Sequence, residues 1–146
     1  MKKKYKLFQK HYEIIEKHYE YLVNLTKNHI FVGTTNEWII DNFYLIVETK
    51  NNLKRTYKES KKLKYAKTEK VDMYKVVEDI FVNHNYDVNY QTLVRELNSY
   101  QNKNEIFFNY QNINVIPSMI GMVIVKRLSE LCLVKRKKQE DESEEK

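Results

Sequence analysis

Two glycines and one proline in 146 residues constrain this chain more than any other feature. Sheets and tight turns consume both residue types, because φ > 0 and a pre-set φ near −65° are what turns require. A chain this poor in them reads as all-α, with helices joined by short polar loops. A hydrophobic share of 42% can support a core, and 32% charged residues give it a wet surface. The length fits one domain, expected over residues 1–134. The last twelve residues, KRKKQEDESEEK, separate into a basic and an acidic block and are expected to form a disordered tail over 135–146.

Helical periodicity divides the domain into about five helices in an irregular bundle. In the first, residues 4 to about 27, Phe8, Tyr12, Ile15, Tyr19 and Leu22 step by four and three, a heptad-like stripe. Residues 28–33 connect it to a second helix expected from about Asn36 to Tyr57. There Thr34 and Glu37 have the spacing of a capping box, and Trp38, Ile39, Phe43, Ile46 and Val47 repeat at helical spacing. A third helix is expected from about Glu69 to Asn83, burying Val71, Tyr74, Val77, Ile80 and Phe81. A fourth runs from about Tyr90 to Tyr100, capped by Asp87 or Asn89, with Leu93, Val94 and Leu97 inward. The last is the most apolar, beginning near Ile113 and continuing through Val134. Pro117 costs nothing if this helix starts near Asn114 and kinks it if it starts near Asn109.

Bulk charge and the ends of the chain narrow the function classes. A net charge of +6 permits polyanion binding without requiring it. Cys132 is the sole cysteine, so no internal disulfide can form, and a reducing, cytoplasmic location is the natural expectation. Met1-Lys2-Lys3-Lys4 begins like a signal peptide, but residues 5–10 are not apolar, so none is expected. The apolar run Ile113–Val125 is too short to span a bilayer.

Residue patterns for chemistry are sparse. His11 and His18 share a helix face but stand about 10 Å apart along the axis, too far to bind one metal ion. Cys132 sits in a leucine-rich helix as an inert thiol. Glycine-rich phosphate loops, HExxH and serine-elbow motifs do not occur. No catalytic residue, cofactor or metal site is therefore assigned. From Lys54 to Lys70 eight cations face two acids. Lys54, Arg55, Lys58, Lys61, Lys62, Lys64 and Lys67 are candidates for binding nucleic acid or an anionic surface, set against a plain solvated helix end. Asp41-Asn42 is a polar pair inside an apolar stretch. Either Asp41 meets water or a basic neighbour, or the pair contacts a partner domain.

The segment Glu37-Trp38-Ile39-Ile40-Asp41-Asn42-Phe43-Tyr44-Leu45-Ile46-Val47-Glu48 resembles the E-W-L-L-D-N-[FY]-[YH]-[IL]-[IV]-E-E segment near the N-terminus of cyclic β-1,2-glucan synthases. Downstream, Tyr100-Gln101, Ile116-Pro117 and Met119 resemble that family's second stretch in the same order, although Asn112, Asn114 and Gly121 depart from it. The resemblance implies a non-catalytic N-terminal accessory region, a fragment or truncated relative. In that family other domains transfer glucosyl units from UDP-glucose. It implies docking on a glycosyltransferase domain, through which the chain lies at the inner face of the membrane. Trp38, Asp41, Asn42, Phe43 and Tyr44 are the candidate docking residues. With that partner absent, the aromatic-rich surface favours a homodimer. The competing reading is a stand-alone basic helical module acting through residues 54–70.

Overall fold

The computed structural model describes residues 2–59 and 71–144, and it is all-α. Among these residues there are six helices: α1 (Lys2–Lys27), α2 (Thr34–Glu59), α3 (Met73–Asn83), α4 (Tyr90–Asn104), α5 (Tyr110–Asn114) and α6 (Ile116–Glu144). The chain divides into two compact units, one of Leu53–Val123 and the other of Lys2–Asn52 with Ile124–Lys146. The charged tail expected from residue 135 falls on the end of α6, where the side chains of residues 136 and 138–146 lie outside the described set.

In the unit formed by the chain's beginning and end, the heptad of α1 determines the packing. Tyr5, Phe8, Tyr12, Ile15 and Leu22 are buried, as are Asn36, Ile39 and Ile46 on α2. With the half-buried Tyr19 and Phe43 both sets advance by alternating three and four, the period that keeps a seam facing its partner along a helix. The pairing is antiparallel. Tyr19 stacks on Phe43 at 4.0 Å with the rings 6° from parallel. One to two turns away, the Lys50 ammonium sits 4.7 Å over the Tyr12 ring. On α6, Val125, Ser129 and Cys132 are buried at the same four-then-three spacing.

The other unit is centred on α3. Its N-cap is Asp72, whose carboxylate accepts from the Lys75 amide at 3.3 Å. Met73, Val76, Val77, Ile80 and Phe81 are buried, together with Val71, Val115, Ile116, Met119, Met122 and Val123. Tyr74 is only half-buried, and its hydroxyl donates to the Glu78 carboxylate at 3.1 Å. Asn89 caps α4 by accepting from the Thr92 amide at 2.8 Å. Contrary to the expectation from spacing, Val94 does not point inward: it is exposed, and no residue of α4 is fully buried. The question raised by Pro117 is answered by a break. α5 carries its own reciprocal cap between Asn109 and Asn112 and ends at Asn114. α6 begins at Ile116, so Pro117 lies in its first turn, where no amide donor is needed.

Helix termination explains how the chain manages with so little glycine. Three helices end in the same six-residue closure, with bonds from the i+5 amide to the i carbonyl and from the i+4 amide to the i+1 carbonyl. At the end of α1, Ile30 N bonds Leu25 O at 2.9 Å and His29 N bonds Thr26 O at 3.0 Å. After α3 the pairs are Tyr86 to Phe81 at 2.7 Å and Asn85 to Val82 at 3.1 Å. After α4 they are Ile106 to Gln101 at 3.0 Å and Glu105 to Asn102 at 3.4 Å. The left-handed residue is His29 (φ 60°), Asn85 (φ 53°) or Glu105 (φ 53°), positions where glycine is usual, and after α3 Tyr86 (φ 64°) is left-handed as well. A β-carbon there costs roughly 1–2 kcal/mol, except that asparagine tolerates the region better. Glu105→Gly is therefore expected to stabilise the fold by up to about 1 kcal/mol, after the added freedom of the unfolded chain is subtracted. Urea unfolding monitored by circular dichroism reads this directly, and a loss of stability contradicts it.

Candidate functional site

The start of α2 differs from the capping box expected at Thr34. Thr34 is already helical, and the first helical bond runs from the Glu37 amide to the Gly33 carbonyl at 3.0 Å. Gly33 enters with φ 89°, a conformation that strains any residue with a β-carbon. Asn36 does the work of reaching back: its Nδ2 donates to the Val32 carbonyl at 2.8 Å. Its Oδ1 lies 3.2 Å from His18 Nε2. Asn36 and His18 are both buried, so this pair fastens the turn to the middle of α1.

The five candidate docking residues separate by helix face. Trp38 is 51% exposed and Tyr44 65% exposed, and Asp41 is exposed as well. Phe43 points the other way, into its stack on Tyr19. Asn42 is half-buried and its Nδ2 donates within the helix to the Trp38 carbonyl at 2.8 Å. Trp38, Asp41 and Tyr44 thus share an outward surface, which Asn42 and Phe43 do not join. Beside it an open cleft of about 620 Å³ is lined by Ile30, Phe31, Val32 and Ile40, with Glu37 and Asp41 among its polar residues. Phe31 and Ile30 are themselves exposed.

Of the candidate polyanion-binding residues, Lys54, Arg55 and Lys58 are exposed on the last turns of α2, with Lys54 and Lys58 one turn apart. Lys61, Lys62, Lys64 and Lys67 lie outside the described residues.

His11, Ser129 and Cys132 are committed to structure. Ser129 Oγ is 3.0 Å from His11 Nδ1 and donates to the Lys126 carbonyl at 2.7 Å. A hydroxyl has one proton to give, so the bond to His11 requires the imidazole to donate from Nδ1. Ser129 is 1% exposed and its proton is already placed, so the pair is not arranged for nucleophilic attack. Burial, then the nearby Lys126 charge, lowers the His11 pKa, against an opposing pull from Glu130. Burial raises the Cys132 thiol to about 11. Among the described residues no three His, Cys, Asp or Glu side chains cluster to hold a metal ion. Among the same residues no helix is long and apolar enough to cross a membrane.

Neither polar lock was anticipated from the sequence. The available signal was the spacing of His11 and His18, one heptad apart on the flank of the apolar stripe. Comparison with protein-family models, curated proteins and solved structures found no match.

Two measurements follow from these environments. The folded state holds the His11 proton less tightly than the unfolded chain, whose value is near 6.5. This residue's contribution to stability is therefore complete above that pH and is lost as pH falls below it. His11→Gln is expected to flatten the decline of stability between neutral and mildly acidic pH, and an unchanged slope contradicts the assignment. Cys132, protonated and enclosed, is expected to react with a chromogenic disulfide reagent at neutral pH only at the rate of unfolding. Immediate reaction in native buffer contradicts its burial.

Proposed function

We propose that this chain is a non-catalytic helical docking module whose contact surface is the outward face of the first half of α2. The observation that carries the reading is the exposure of Trp38 and Tyr44 on one helix face. Rigid amphipathic aromatics of this kind dominate protein–protein contacts at small entropic cost. The adjoining cleft offers an apolar recess for a partner's side chain, and Asp41 at its edge supplies a charged contact. His11, His18, Ser129 and Cys132, the side chains best suited to chemistry, are taken up by internal bonds or burial.

The partner proposed from the sequence resemblance is the glycosyltransferase domain of a protein similar to cyclic β-1,2-glucan synthases. In this proposal that domain performs the glucosyl transfer, and it brings the chain to the inner face of the membrane.

The test is direct binding between the chain and a detergent-solubilised glucan synthase glycosyltransferase domain, measured by interferometry. Saturable binding is expected, weakened at least about tenfold by Trp38→Ala or Tyr44→Ala, while circular dichroism and unfolding midpoints barely move. Absence of binding removes the glycosyltransferase partner. Binding that ignores both substitutions removes the α2 face. Binding instead to single-stranded nucleic acid, falling steeply with salt, transfers the function to the basic stretch at Lys54–Lys58 and beyond.

A further inference from the structure

Charge along two helices of the same unit is segregated in a complementary way. From Thr34 to Thr49, α2 carries Glu37, Asp41 and Glu48 and no cation. All three carboxylates are exposed, and they recur at four and seven residues, so they mark one outward stripe with Trp38, Tyr44 and Leu45. None has an ion-pair partner among the described residues. The next cation along α2, Lys50, is engaged with the Tyr12 ring. On α6 the segment 131–138, LCLVKRKK, has four cations and no acid. Leu133 and Val134 stand 53% and 59% exposed, Leu131 is also exposed, and Lys137 projects to solvent beside them. The neighbouring acid, Glu130, already pairs with Arg127 at 3.5 Å.

Each chain therefore presents an acidic face with exposed aromatics on α2 and a segment of α6, basic in sequence, in which Lys137 lies exposed among aliphatics. Unsatisfied apolar surface gives association its driving force, and opposite potentials set its register and suppress like-with-like pairing. We infer that the chain forms a homodimer in which the acidic–aromatic face of α2 in one copy receives the basic–aliphatic segment of α6 from the other. In the inferred dimer each copy contributes one of each, so that two such contacts are related by a twofold axis. The inference goes beyond the docking proposal and constrains it: the dimer covers Trp38 and Tyr44, so a docking partner has to compete with the second copy.

Charge reversal tests the pairing without touching the core. Glu37→Lys with Asp41→Lys and Glu48→Lys makes an α2-reversed chain, and Lys135→Glu with Arg136→Glu, Lys137→Glu and Lys138→Glu makes an α6-reversed chain. Sedimentation equilibrium over the micromolar range is expected to show a dimer for the native chain, weakening as salt rises from about 0.05 M to about 0.5 M. Each reversed chain alone is expected to dimerise at least about tenfold more weakly. Mixed together they restore the dimer, since both contacts then join opposite charges, and so does the chain carrying all seven changes. Circular dichroism confirms that every variant folds. A native chain that stays monomeric throughout overturns the inference, and so does a dimer indifferent to the reversals or not restored by mixing. The docking proposal has a separate readout, binding to the glycosyltransferase domain, so either can fail without the other.

Discussion

The antiparallel seam between α1 and α2 is the contact on which its unit depends. It is built from side chains at alternating three- and four-residue steps, and it is mostly aromatic at its centre. Apolar packing alone does not specify its register fully, since every step along the seam repeats the same three- and four-residue spacing. The His18–Asn36 bond removes that freedom. A one-heptad slip leaves two buried polar groups without each other, at a cost of roughly 1–3 kcal/mol for each. The same asparagine holds the Val32 carbonyl, so the register of the seam and the geometry of the turn are fixed by one side chain. The outward face of α2 is in turn oriented by this inward one.

Much of the architecture was legible, for reasons that can be named. The stripe from Phe8 to Leu22 announces α1 because a 26-residue amphipathic helix repeats its signal several times over. Asn89 was readable as a cap because its side chain acts on an amide only three residues away. Pro117 marked a boundary because the constraint it imposes is local. The errors share the opposite character. Val94 reads as apolar and inward from spacing, but α4 buries no residue completely, and periodicity does not report how much partner surface a face will meet. Thr34 and Glu37 satisfy a capping pattern, yet the helix begins one step earlier because Gly33 and Asn36 supply the entry geometry.

The candidate docking site was legible as a segment and not as a surface. Five consecutive or near-consecutive residues on a helix cannot share one face, since each step turns the side chain by about 100°. Phe43 belongs to the seam and Asn42 to its own helix, while Trp38, Asp41 and Tyr44 remain outward. The complementary charge of α6 was visible in the string LVKRKK but had no meaning until Leu133 and Val134 proved exposed. The pairs His18–Asn36 and His11–Ser129 join residues 18 and 118 positions apart in sequence, which no local pattern encodes.

The non-glycine helix closures have a consequence for how the chain folds. Each closure is completed within six residues, and the segment between α1 and α2 is equally short. Bringing such near neighbours together carries a small loop-closure penalty. The α1–α2 hairpin can therefore assemble through local encounters, which favours rapid folding. The strain at His29 is local to this same reversal. A turn that is slightly unfavourable by itself and stabilised only once the seam zips makes formation of the two helices and their reversal a cooperative event. His29 thus couples the turn to the seam, so the hairpin is expected to appear as one kinetic unit instead of two helices that meet later.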